Sequence, residues 1–222
     1  MVPVITIDGP SGAGKGTLSR LLAEALGFSM LDSGALYRLT ALAAKNQGVE
    51  FADRQGLATL ARALDIQFHL LDGQVSMLLA GVDVSRAIRT EDVGMGASIV
   101  AAVPEVRDAL LARQRDFQQP PGLVADGRDM GTVVFPNAPL KIFLTASAEV
   151  RAKRRCLQLQ QQGLEADLAQ ITADIEKRDL QDAQRTIAPL RPAADAKLLD
   201  STNMSIETVL NTILGYWREV QL

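Results

Sequence analysis

Four glycines fall among the nine residues from Gly9 to Thr17, between an apolar β-branched run and a stretch with helical spacing. Glycine in ordered backbone costs about 0.5–1 kcal/mol relative to alanine, so a cluster this dense implies conformations or close approaches that other residues cannot make. "VPVITID", Val2 to Asp8, reads as a buried parallel strand, and Leu18, Leu21, Leu22 and Leu26 recur at helical spacing until Gly27 ends the helix. Between them, Gly9 to Lys15 follows the order Gly, four residues, Gly-Lys of a loop that wraps a phosphate. The glycines let successive N–H groups converge on one anion, the helix N-terminus adds its dipole, and Lys15 supplies a point charge for the outer phosphates. The hydroxyl that usually follows the lysine directly is displaced by one, to Thr17 after Gly16, which weakens its assignment as a direct metal ligand.

The same strand-then-helix grammar recurs at "FSMLD", "GLVADG", "LKIFLTAS" and "AKLLDST", which predicts an α/β fold with a parallel sheet and helices on both faces. One segment departs from it. Asp65 to Ser85 alternates apolar residues around turn signals at Asp72-Gly73 and Gly81, and reads as a small inserted antiparallel meander. His69, the only histidine, is out of phase with Ile66, Phe68 and Leu70 and is expected on the surface. Pro120, Pro121 and Gly122 predict a turn leading into the next strand.

With 222 residues and 47% hydrophobic content, the chain can bury a core of its own. A net charge of -3 argues against a nucleic-acid or membrane-surface binder, so an anion site has to be local. Cys156 is the only cysteine, which excludes an internal disulfide and suits a reducing cytosol. "MVPVITID" lacks the basic and apolar regions of an export signal, and no uninterrupted apolar run approaches the roughly 18 residues of a membrane span. The expectation is a cytoplasmic, monomeric protein.

Three further clusters carry charge. "LDSGALYR" puts Asp32 or Ser33 at a helix N-cap with Ser33, Tyr37 and Arg38 close behind, a second place for an anion. Arg128 and Asp129 follow a buried strand, at the edge where open α/β sheets bind ligands. Arg178, Asp182 and Arg185 share one helical face, and spacing alone favours an exposed, ion-paired helix.

Taken in order, "IDGPSGAGKGT", "LDSGALYR", "VRDALLARQR", "ADGRDMGTVVFP", "KIFL", "KRDLQDAQR" and "LDST" resemble the bacterial cytidylate kinases, of the nucleoside monophosphate kinase group of phosphate-loop proteins, over nearly the whole chain. The resemblance implies a three-layer core of residues 1–32, 106–149 and 188–222. It also implies an inserted monophosphate-binding domain at 33–105, containing the meander, and a helical lid at 150–187. It implies transfer of a phosphoryl group from ATP, with Mg2+, to CMP or dCMP. Gly9, Pro10, Ser11, Gly12, Ala13, Gly14, Lys15, Gly16 and Thr17 would hold the ATP phosphates, Thr17 meeting the metal directly or through water, with Arg151 and Arg154 of "RAKRR" beside ATP or the transferred group. Ser33, Tyr37, Arg38 and Arg128 would surround the acceptor phosphate. Ser98, Arg107, Asp129 and Arg185 would frame the cytosine, and Arg178 and Asp182 the ribose. Lys15, Arg128 and Arg178 are the residues it implies for catalysis. The competing reading is a phosphate-loop kinase of a small hydroxylated metabolite, like shikimate kinase. A nucleotide switch would need an Asn-Lys-x-Asp guanine motif, which the chain lacks.

Overall fold

A computed structural model describes residues 2–71, 74–161, 163 and 165–221, and the side chains of 68–71 and 74–76 are also left aside. The expected Asp72-Gly73 turn and the orientation of His69 therefore lie outside the described residues. The chain divides into two compact units, one of residues 1–32 and 115–222, the other Ser33–Gln114.

The first unit is built on a five-stranded parallel sheet of β1 (Val4–Asp8), β2 (Ser29–Asp32), β6 (Leu123–Gly127), β7 (Leu140–Thr145) and β8 (Lys197–Asp200), in the order β2-β6-β1-β7-β8. All five strands are those read from the sequence. β1 and β6 are buried at every position, as central strands covered on both faces must be. One core gathers Ile5, Ile7, Leu18, Leu22, Leu140 and Ile142 with Val209, Ile213 and Trp217 of α8 (Ile206–Val220). Gly27 ends α1 (Lys15–Leu26) at φ 65°, and Phe28 N–H bonds the Ala23 carbonyl at 2.9 Å, closing a left-handed cap. Phe28 then meets Trp217 edge to face, ring centroids 5.8 Å apart. Register matters most at the carboxyl edge: Asp8 sits opposite Gly127, and Asp32 opposite Asp126. Three acids thus stand at or next to the ends of adjacent strands. The helices α6 (Ala148–Gln161) and α7 (Leu168–Gln184) belong to this unit.

The second unit holds α2 (Ser33–Gln47), α3 (Arg54–Arg62), α4 (Glu91–Val100) and most of α5 (Pro104–Asp116). Its antiparallel sheet of β3 (Ile66–Leu71), β4 (Gln74–Leu79) and β5 (Val82–Asp83) is the expected meander. Ala35, Leu39 and Leu42 pack with Met77, Val84, Ile88 and Val93 in a core of their own.

Candidate active site

The loop after β1 has the backbone its glycines foretold. Gly12 and Gly14 take φ of 76° and 93°, the left-handed region that side chains disfavour. Gly9, at φ 151°, passes so close to β7 that a Cβ would stand 2.0 Å from the Leu144 carbonyl oxygen. Gly14 caps α1 in the left-handed region with no side chain bonded across the cap. Thr17 is exposed in the first turn.

Lys15 is buried, its Nζ donating to the Pro10 carbonyl at 2.9 Å and standing 3.9 Å from Asp126 Oδ1. Burial and the neighbouring Arg128 charge push the Lys15 ammonium down, partly offset by Asp126, Asp8 and Asp32. Burial pushes Asp126 up, offset by Lys15 and reinforced by Asp32. Asp8 rises to about 6 because burial outweighs the N–H groups of Gly131 and Met130 that bond its carboxylate. The site is a dry knot of both charges.

Arg128 Nε donates to Asp182 Oδ2 at 2.8 Å, joining the end of β6 to α7. Burial opposes both charges. For Asp182 it is outweighed by Arg128, Arg185 and Arg178, and the carboxyl stays below its ordinary range. For Arg128 it is outweighed by the charge and hydrogen bond of Asp182, which raise its pKa further. The exposed ion-paired helix favoured by spacing is therefore a correction: the Asp182 side chain is only 6% exposed, and Arg185, 4.0 Å from it, 8%. Helical period says which residues share a face, not whether that face meets water, and on this one Asp182 is buried against Arg128 from the end of β6. Arg185 lies at the C-cap of α7 and Arg178 inside the helix. Asp129, one residue beyond Arg128, is buried.

Arg151 and Arg154 reach the back of the phosphate loop. Arg151 donates to Ser11 O at 3.0 Å, Ala146 O at 2.9 Å and Asp179 Oδ2 at 2.5 Å, and Arg154 to Ala13 O at 3.3 Å and Ser201 O at 3.0 Å. Within the basic run Arg151 is buried, Arg154 and Arg155 are half-buried, and Lys153 is exposed. In the second unit, Ser33 and Tyr37 are buried at the start of α2, and the Arg107 guanidinium lies 5.8 Å from the Tyr37 ring centroid. Arg38 donates to Ile88 O at 3.0 Å, and Ser98, on α4, sits half-buried with its hydroxyl 3.4 Å from Gly94 O.

The sequence reading passed over Asp8, Asp126 and Asp179. The first two had a signal, an acid at or next to the carboxyl end of an otherwise apolar buried strand, at the ligand edge of the sheet; Asp179 had none.

The family model for cytidylate kinase matches residues 5–219. The chain belongs to the cytidylate kinase family. It is 60% identical over 217 residues to the cytidylate kinase of Pseudomonas aeruginosa, covering 97% of this chain and 95% of that one. It is 61% identical over 223 residues to the cytidylate kinase of Saccharophagus degradans, with complete coverage of both. Among solved structures, a shikimate kinase from Bacteroides thetaiotaomicron is 13% identical, covers 97% of this chain and 98% of that one, and has a TM-score of 0.47. Nothing about the acceptor follows from so distant a likeness.

Proposed function

We infer that this cytidylate kinase transfers the γ-phosphoryl group of ATP to CMP or dCMP, giving ADP and CDP or dCDP. The observation that carries the inference is identity near 60% to cytidylate kinases across essentially the full length of the chain.

The chemistry asks little of a base. A nucleoside monophosphate has a second pKa near 6, so at neutral pH its oxygen is already an anionic nucleophile. What remains is to hold two polyanions in line while charge spreads over the transferring group. Lys15 and the loop from Gly9 to Thr17 take the ATP phosphates, and Arg151 and Arg154, bonded to loop carbonyls, hold that loop in shape. Arg128 and Arg178 supply charge toward the transferred phosphoryl. Ser33, Tyr37 and Arg38 take the acceptor phosphate. Ser98, Arg107, Asp129 and Arg185 read the base, with Arg178 and Asp182 at the sugar. A carboxylate at Asp129 accepts from the exocyclic amine of cytosine, whereas uracil presents a carbonyl, a mismatch of about 1–3 kcal/mol in a dry site.

Magnesium fits the donors present. Mg2+ uses one or two carboxylates and completes its shell with water and phosphate oxygens. Asp126 and Asp32 are neighbours in register, and burial together with the Asp32 charge raises the proton affinity of Asp126, which a divalent cation would relieve. With the Thr17 hydroxyl they would hold the ion. The ion would supply positive charge to neutralise the outer phosphates.

In this reading residues 33–105 bind the monophosphate and 150–187 form the lid. The protein acts as a cytoplasmic monomer on small nucleotides, apart from nucleic acid and membrane. Among the described residues no helix is long and apolar enough to cross a membrane.

The test is ADP production with magnesium-ATP and, separately, CMP, dCMP, UMP, AMP and shikimate. Turnover with CMP and dCMP well above the others is expected; turnover confined to shikimate, or none, overturns the assignment.

A further inference from the structure

Asp8 ends β1 and directly precedes Gly9, so by sequence it belongs with the ATP loop. Its bonds lead elsewhere. Oδ1 accepts from Met130 N–H and Oδ2 from Gly131 N–H, each at 2.8 Å, and the residue is 4% exposed. Those N–H groups open a single wide helical turn, Met130–Val134, in which Val133 and Val134 N–H return to the Asp129 carbonyl. The first donors of such a turn have no partner within it, and Asp8 caps them from 122 residues away.

The neighbouring side chains enforce this arrangement. A Cβ on Gly131 would stand 2.9 Å from Thr6 Oγ1 and 3.1 Å from Lys141 Cδ, so only glycine brings its N–H to the Asp8 carboxylate. Lys141 cannot readily yield, because Nζ is held by Pro136 O and by both oxygens of Asp195 at 2.9 Å. At the other end, a Cβ on Gly127 would lie 2.8 Å from Met130 Cγ. Residues 127–131 are thus pinned on both sides, and Arg128 and Asp129 project from the pinned stretch.

We propose that Asp8 is a positioning residue for the acceptor: through the N–H groups of Met130 and Gly131 it sets the backbone from which Arg128 and Asp129 reach CMP. The proposal rests on the reading that these two residues contact the acceptor. Asparagine offers one carbonyl oxygen and an NH2 where Asp8 offers two acceptors, so Asp8→Asn can keep only one of the two bonds and sets donor against donor in place of the other.

Steady-state kinetics on Asp8→Asn, Gly131→Ala and Asp129→Ala, with CMP, UMP and ATP varied in turn, test it. Asp8→Asn is expected to raise KM for CMP about tenfold or more, lower the CMP to UMP ratio of kcat/KM, and leave KM for ATP within about twofold. If Asp8→Asn does not fold, Gly131→Ala decides, because its methyl displaces the same N–H from an intact carboxylate. Equal rises in both KM values, or a rise for ATP alone, overturn the proposal in favour of a scaffold for the ATP loop. An unchanged CMP to UMP ratio in Asp129→Ala overturns the underlying reading and the proposal with it. A changed ratio there, with CMP constants at the wild-type level in Asp8→Asn and Gly131→Ala, overturns the proposal alone.

Discussion

Replacing Asp182 with asparagine separates two accounts of α7 by magnitude. If the Arg178, Asp182 and Arg185 face were solvated, losing one charge would cost only the few tenths of a kcal/mol typical of an exposed helical pair. Instead the Asp182 side chain is 6% exposed, and it receives Arg128 Nε at 2.8 Å. Removing one partner of a buried ion pair costs about 3–5 kcal/mol. Arg128 keeps some access to water at 20% exposure, and asparagine keeps one acceptor, so about 2–3 kcal/mol is the expectation. In a chain of this size that lowers Tm by about 5–10 °C. Urea unfolding at several pH values is the assay. The pKa of Asp182 is depressed in the fold, so its contribution is complete above the ordinary value of 3.8 and is lost as pH falls through the depressed value. The gap between wild type and variant should be constant from about pH 5 to 8 and close only in acid. Because Arg128 loses its anchor, KM for CMP should rise more than KM for ATP. A loss under about 0.5 kcal/mol, or a rise confined to ATP, would refute the reasoning.

Four further expectations follow from the same geometry. Gly14→Ala meets nothing closer than Arg154 Nη1 at 3.9 Å and carries only the strain of φ 93°, about 1–2 kcal/mol, so it should fold with a raised KM for ATP. Gly9→Ala would drive a methyl to 2.0 Å from a backbone oxygen and should give no folded protein in the same expression trial. The raised pKa of Asp8 stabilises the fold fully below 3.8, and that contribution is lost as pH rises through about 6. Wild type without nucleotide should therefore lose stability over that window relative to Asp8→Asn, as thermal melts across pH 4 to 7 would register. Arg151→Lys keeps one charge but cannot span Ser11 O, Ala146 O and Asp179 together; a rise in KM for ATP larger than that for CMP is expected from initial rates.

The phosphate loop was legible because its signal is steric. Glycine at left-handed φ, or within van der Waals contact of a neighbouring strand, has no substitute, so spacing alone located Gly9, Gly12 and Gly14. Strands and meander were legible for a similar reason, since alternation and β-branching report burial directly. The partners of Asp182 and Asp8 were not. Asp8 takes its donors 122 residues along the chain, and nothing in "ITID" distinguishes a capping acid from the start of a loop. Arg151 looked like one member of a basic run, and only the packing of α6 onto the loop shows that its charge is buried against carbonyls.

The three best-placed cations of the first unit already have carboxylates: Lys15 with Asp126, Arg128 with Asp182, Arg151 with Asp179. A buried cation without a partner would be strongly destabilising, so a chain that must fold before its polyanionic substrates arrive needs these acids. They also fix where the cations point. An arginine held by a planar carboxylate has little rotamer freedom left to lose when a phosphate approaches, which lowers the cost of ordering it in the transition state. The same acids compete with phosphate for the cations. Asp126 is the exception in kind, because a divalent ion arriving with ATP would give its charge a new partner as Lys15 turns to the phosphates. In the proposed function the pairing that lets the free protein fold would be exchanged for one that serves transfer, without leaving either charge buried alone.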